Sequence, residues 1–435
     1  MSLSMIGLFL GLLLLIVLTI RGMNLLVAGP LCALVVALTS GIPIFSSSIE
    51  GQANLLNSYM TGFAGFVQAW FLMFLLGSLF GKLMEESGSA DSISKWIVEK
   101  LGMKQAVLAV VIACAILTYG GVSLFVVAFS VYPMALSLFK EANLPRRFIP
   151  ATLAFGSVTF TMTSAGSPEV QNWIPIKYLG TTPYAAWEVS LVVAIFMACF
   201  GYWWLRRMIN KAVAKGEAFQ DRASDPHITE QELPSPILSM IPLVLVLISS
   251  FYLHGIFQQY ALMVALLIGV LSCWIINHKY IHELGTAINH GTTGALIAIG
   301  NTSAVVGFGA VAKATPAFLV AVEFMTSLPG NELIGAAIAI SVIAGLTGSA
   351  SGGQAIALPI LAPHYIDAGV DPEQLHRVVA ISSGALDSLP HNGYVVTTIR
   401  AICGETHKDA YGPMAALTVA VPVIGVIIAI ALFLM

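Results

Sequence analysis

Twelve apolar segments alternate with short polar stretches along the chain, at residues 3–20, 23–44, 62–81, 105–139, 148–180, 185–205, 237–253, 258–277, 288–312, 332–366, 378–403 and 414–434. Stretches such as Leu3 to Ile20 and Gly51 to Gly81 are long enough to cross hydrocarbon as helices, and the two-residue alternation of a membrane β-barrel is absent. The pattern therefore predicts an all-α polytopic membrane protein. The first segment is followed by Arg21 and has no basic residue before it, so it reads as a retained span rather than a cleaved leader.

Polar punctuation divides the chain in two. A hydrophilic linker at 206–236, rich in Arg206, Arg207, Lys211, Glu217, Asp221, Asp225 and Glu230, separates an N-terminal unit (1–205) from a C-terminal one (237–435). Each unit carries the same interruptions in the same order. Thr118-Tyr119-Gly120-Gly121 breaks the run 105–139, Pro145 opens a loop, and Ser164-Ala165-Gly166-Ser167-Pro168 breaks 148–180; Thr347-Gly348-Ser349 breaks 332–366, Pro372 opens a loop, and Asp387 to Gly393 breaks 378–403. The spacing between equivalents stays near 227–229 residues until the last break, which marks an internal repeat. The limbs on either side of Gly120 and of Gly348 are short for complete spans, so each pair is expected to form a re-entrant hairpin, followed by a broken helix.

Charge then orients the units. The loops at 82–104 and 140–147 carry Lys82, Lys95, Lys100, Lys104, Lys140, Arg146 and Arg147, whereas their counterparts at 313–331 and 368–377 carry Lys313 and Arg377. By the positive-inside rule the first pair and the linker face the cytoplasm, the second pair faces out, and both termini lie outside. The repeats are thus expected to have inverted topology, a device that gives transporters two pseudo-equivalent states. Of the 435 residues 57% are hydrophobic and only 9% charged, with a mean hydropathy of +0.89, too few charges for a soluble enzyme of this size. A net charge of -3 excludes a nucleic-acid partner, and the five scattered cysteines suit packing rather than disulfides or a metal site.

Non-helical backbone at membrane depth is tolerated where it lines a cavity or is buried in protein. Two tips and two breaks therefore point to one midplane site, with Thr118, Tyr119, Gly120, Gly121, Ser123, Thr161, Thr163, Ser164, Gly166, Ser167, Asn172, Thr347, Gly348, Ser349, Ser351, Gly352, Gly353, Gln354, Ser388, His391 and Asn392 as candidate substrate contacts. Free amides and the positive dipole ends of half-helices can hold a carboxylate without an arginine, so a small organic anion is the expected substrate. Ionisable groups in hydrocarbon persist chiefly for function, and Asp387, His391 and Glu169 are the candidate proton carriers. No metal or organic cofactor is expected. Gly307 to Ala312 imitates a dinucleotide fingerprint but sits in an apolar helix, and Asp387, Ser388 and His391 lack a nucleophile elbow, so neither points to an enzyme.

The segments Leu117 to Val127, Phe160-Thr161-Met162-Thr163, Gly166 to Pro175, Gly180-Thr181-Thr182-Pro183-Tyr184 and Ser383 to Gly393 resemble the gluconate permease family, most of all its branch for 3-hydroxybutyrate and other short carboxylates. The resemblance implies a proton-coupled importer of the inner (plasma) membrane, a homodimer within the lipid bilayer that moves a transport domain against a scaffold, elevator-fashion. Ser164-Ala165-Gly166-Ser167-Pro168 stands where sugar-acid members have a Pro-His-Pro-Gly-Pro type of break, which moves a small hydroxy acid ahead of gluconate. Sodium coupling on the same architecture and a passive channel are the alternatives.

Overall fold

A computed structural model describes residues 2–45, 53–102, 105–222, 232–326 and 330–435; Lys104, Asp225 and Glu230 lie outside these residues. The described residues form helices and no strand. The first half comprises α1 (Leu3–Ile20), α2 (Leu25–Thr39), α3 (Leu55–Glu86), α4 (Ser89–Leu101), α5 (Ala106–Tyr119), α6 (Leu124–Glu141), α7 (Ile149–Ala154), α8 (Ile174–Leu179) and α9 (Trp187–Ala214). The second comprises α10 (Pro236–Phe257), α11 (Ala261–Asn277), α12 (Leu284–Lys313), α13 (Pro316–Thr326), α14 (Glu332–Thr347), α15 (Ala350–Asp367), α16 (Pro372–Ser383), α17 (Gly393–Val396), α18 (His407–Ala415) and α19 (Val421–Phe433). Seven helices of the described residues are long and apolar enough to cross a membrane, among them α3, α6, α9, α10 and α12.

The inversion is visible in one helix pair. Gly62 of α3 lies against Val306, Gly307 and Ala310 of α12, while Gly291 of α12 lies against Leu79 of α3. Gly62 and Gly291 are repeat equivalents, as are Ser78 and Gly307. The two helices therefore pack antiparallel about a local two-fold axis, and the halves run through the membrane in opposite senses. Glycine is required at Gly62, where a Cβ would stand 2.9 Å from the Val306 carbonyl oxygen. Tyr59 Oη donates to the Ala304 carbonyl (3.1 Å) and Ser78 Oγ to that of Gly291 (2.8 Å), closing both ends of the seam.

Helices α1–α3 and α10–α12 form one group, and the hairpins α5/α6 and α14/α15 with the broken helices form another, in contact with α9 and α19. The stretches 82–104 and 313–331, expected as loops, hold α4 and α13. In α4 the apolar period was too short to stand out, but Ile93 and Ile97 recur one turn apart and bury one face, leaving Lys95, Glu99 and Lys100 exposed. Two loop charges also proved to be interior: Arg146 and Arg377 are buried.

The linker side is tied together by ion pairs. Lys140 Nζ meets Asp221 (2.6 Å), Arg147 Nε meets Glu217 (2.7 Å), and the buried Glu405 accepts from Arg146 Nε (3.0 Å) and pairs with Arg222 (2.9 Å). These contacts join the base of the first hairpin, the linker and the far end of the second broken helix.

Candidate functional site

Each hairpin turns on a glycine in the left-handed region, Gly121 (φ +95°) and Gly348 (φ +58°), where an L side chain would be strained. Beyond each turn a full-length helix begins: α6 after Ser123 and α15 after Ser349, each 18 residues long. Ser349 Oγ accepts the amide of Gly352 (3.1 Å), whereas Ser123 caps nothing. The first amides of α6, at Leu124, Phe125 and Val126, are therefore left for another acceptor.

Both tips and both breaks open onto one cavity of about 740 Å³. The first tip supplies Gly121 and Ser123, the first break Pro168 to Gln171, the second tip Gly348 to Ser351, and the second break Asp387, Ser388 and Asn392. One face of α12 (His290, Gly294, Ala298, Asn301, Thr302) and one face of α3 (Phe74, Ser78, Lys82, Glu85) complete the wall and carry it toward the linker side, where Asn24 also lines it.

Besides Glu85, which pairs with Lys82, two carboxylates face this space. Asp387 accepts a hydrogen bond from Ser388 Oγ (3.0 Å), and Glu169 has no side-chain partner among the described residues. Lys82 is held by Glu85 and Glu86, both at 2.9 Å, so its charge is already answered.

Nine of the residues singled out from the sequence reach the cavity: Gly121, Ser123, Glu169, Gly348, Ser349, Ser351, Asp387, Ser388 and Asn392. The others stand behind it. Thr161, Ser164 and Thr347 return their hydroxyls to carbonyls one turn back, and Tyr119 Oη donates to the Ala165 carbonyl. Thr118 is buried in α5, Gly120 abuts Leu243, and Gly166 abuts Tyr184. Thr163 and Ser167 contribute carbonyls, the first to Arg377 and the second to Asn172 and Trp173. Asn172 is spent on Ser167, Pro183 and Arg377. Gly353 permits the close approach of α14 and α15, where a Cβ would meet the Ala344 backbone at 2.6 Å, and Gly352 gives its amide to Ser349. Gln354 donates to the Gln171 carbonyl (3.0 Å) and to Ser383 Oγ (2.9 Å), and His391 is buried against Gly348.

The wall from α3 and α12 was not anticipated. Its signal was present as His290, Gly294, Ala298, Asn301 and Val305, one helical stripe with polar members inside an apolar segment.

A family model described as GntP family permease matches residues 1–262. The chain is 36% identical over 445 aligned residues to an uncharacterized transporter of Bacillus subtilis (strain 168), YxjC, covering 92% of each protein. It is 25% identical over 348 residues to an uncharacterized transporter of Haemophilus influenzae, covering 78% of this chain and 79% of the relative. Among solved structures, the Alcanivorax borkumensis YdaH transporter, described as having an unusual topology, superposes with a TM-score of 0.57 over 99% of this chain and 98% of its own, at 14% identity, a likeness of fold.

Proposed function

The chain belongs to the GntP family of permeases and is a multi-pass membrane transporter, and from that premise we propose that it takes up a short hydroxycarboxylate, of the size of 3-hydroxybutyrate, together with protons. The observation that carries the reading is the convergence of two hairpin tips and two broken helices on one cavity, with the uncapped start of α6 on one side and the start of α15 on the other. Amide groups and dipole ends of this kind stabilise a carboxylate, and neutral Ser and Asn side chains supply hydrogen bonds to its hydroxyl. A carboxylate on each break, Glu169 and Asp387, offers a place for a proton beside the anion, so that charge is neutralised as the site closes.

The hairpins and broken helices would move as the transport unit against α1–α3 and α10–α12, with the cavity open toward the linker. The excess of Lys and Arg on that side supports a cytoplasmic linker in a plasma-membrane protein with both termini outside. Such a conformation is the inward-facing one. The family resemblance adds a homodimeric assembly.

Reconstitution into proteoliposomes tests this. Labelled 3-hydroxybutyrate, lactate and gluconate are offered under an imposed pH gradient and, separately, a sodium gradient. Accumulation of the short hydroxy acids driven by the pH gradient is expected. Accumulation driven by sodium alone would replace the proton, unitary currents without saturation would make the protein a channel, and failure of every carboxylate to accumulate would remove the substrate class.

A further inference from the structure

We propose that Arg377 is a positioning residue of the transport site: from α16 in the second half it holds the break of the first half, so that Pro168 to Gln171 is presented to the cavity and the two breaks travel as one body. This rests on the transporter reading of the cavity. Arg377 is fully buried. Its guanidinium has five N–H groups, and all five are used: Nε on the Ala185 carbonyl (3.0 Å), Nη1 on the Thr163 carbonyl (2.7 Å) and Asn172 Oδ1 (3.0 Å), and Nη2 on the carbonyls of Ala185 (2.9 Å) and Pro183 (3.4 Å).

Every acceptor belongs to the first half and is neutral, and no carboxylate pairs with Arg377 among the described residues. Burying an unpaired charge is costly, and the planar fork is the one side chain able to satisfy acceptors on two separate loops at once. Thr163 and Asn172 bracket the cavity-facing turn, so their fixed separation sets where Glu169 and Gln171 stand. Two neighbours brace the same junction. His376 Nδ1 lies 2.6 Å from Thr181 Oγ1, and Gln354 of the second hairpin joins the Gln171 carbonyl to Ser383. The repeat equivalent of Arg377 is Pro150, so the clamp is not a by-product of duplication and exists on one side alone.

The test uses the full chain, as wild type, Arg377→Lys, Arg377→Gln, Asn172→Ser and Asn172→Asp, with carboxylate uptake measured in proteoliposomes and hydrogen exchange by mass spectrometry in nanodiscs. For Arg377→Lys, which keeps the charge and loses the fork, KM is expected to rise about tenfold with the maximal rate changed less than about threefold. Exchange should quicken over 160–173 and 181–187 and stay unchanged at the tips, 117–124 and 346–352. Arg377→Gln should move both readouts further in the same direction. Unchanged KM with unchanged exchange, or exchange raised evenly along the chain, overturns the proposal. Where an Arg377 variant does not fold, Asn172→Ser is set against Asn172→Asp, since both lose the amide bonds to the Ser167 and Pro183 carbonyls and only the aspartate keeps an acceptor for Arg377: faster exchange over 160–173 and 181–187 in the serine variant than in the aspartate variant supports the clamp, and equal exchange in the two refutes it. If the wild type accumulates no carboxylate, the carboxylate reading fails by itself, and the local exchange difference still decides whether Arg377 holds the break.

Discussion

The two breaks hold equivalent places in an inverted repeat and are built in opposite ways. The first, at 160–173, is bound from behind: the carbonyl of Ser167 accepts from Asn172 Nδ2 and Trp173 Nε1, the amide of Gly166 donates to Pro183, and Arg377 spans the whole turn. It shows the cavity Met162 and Pro168 to Gln171. The second, at 384–392, turns Asp387, Ser388 and Asn392 into the cavity and is held lightly, by Asn392 Nδ2 on the Gly348 carbonyl (2.9 Å), Tyr411 on Ser388 and His407 on Pro390. Duplication supplies a symmetric path through the membrane. The chemistry laid on it is one-sided, with a rigid break and a chemically richer one facing each other.

Exchanging the carboxylates probes that contrast most strongly. Asp387→Asn is expected to abolish gradient-driven accumulation while counterflow exchange of labelled substrate persists, and Glu169→Gln to slow uptake while accumulation remains. Equal effects of the two, or an unchanged pH dependence in Asp387→Asn, would erase the functional difference between the breaks.

Next comes the joint between the second tip and the second break. Gly348→Ala forces a Cβ into the left-handed region, at a cost of about 1–2 kcal/mol. That Cβ would also fall 2.7 Å from the His391 ring. Transport should drop sharply and thermal stability modestly. Asn392→Ala removes an N-cap and the tie to Gly348 together and should cost about 1–2 kcal/mol, read from thermal unfolding. The paired serines are subtler. Ser349→Ala should destabilise by about 1 kcal/mol through its lost cap. Ser123→Ala, which loses no cap, should leave the melting temperature unchanged, so any change in KM reports contact with substrate.

The smallest effect lies at the linker. The hydrogen bonds and charge of Arg147 hold the Glu217 carboxyl below the usual carboxylate range. The pair's contribution is therefore complete at neutral pH and fades as pH falls through that lowered value. Because both groups are partly exposed, Glu217→Gln should alter the acid limb of a stability profile only slightly and leave uptake unaffected.

Much of the architecture was legible in the chain. Apolar run lengths marked the helices, and Gly120-Gly121 and Gly348 marked the tips, because hydrocarbon penalises every unbonded backbone amide and only glycine enters the left-handed turn cheaply. The order of punctuation showed the repeat, and the Lys and Arg imbalance showed its inversion. Polar residue types located the cavity lining to within a turn of helix.

Which side of that turn faces the cavity was decided by the tertiary structure. Thr161, Ser164 and Asn172 have the same chemistry as Ser123, Ser351 and Asn392, but a hydroxyl or amide within reach of a carbonyl is consumed by it, and that reach depends on how segments cross. The same holds for Arg377, a loop charge by position and a buried clamp in space, and for the stripe of α12 from His290 to Val305, which became a cavity wall once α3 packed antiparallel to it. Composition and spacing determine what each segment must do to exist in a membrane. Partners distant in sequence determine which polar atoms are left over for a ligand.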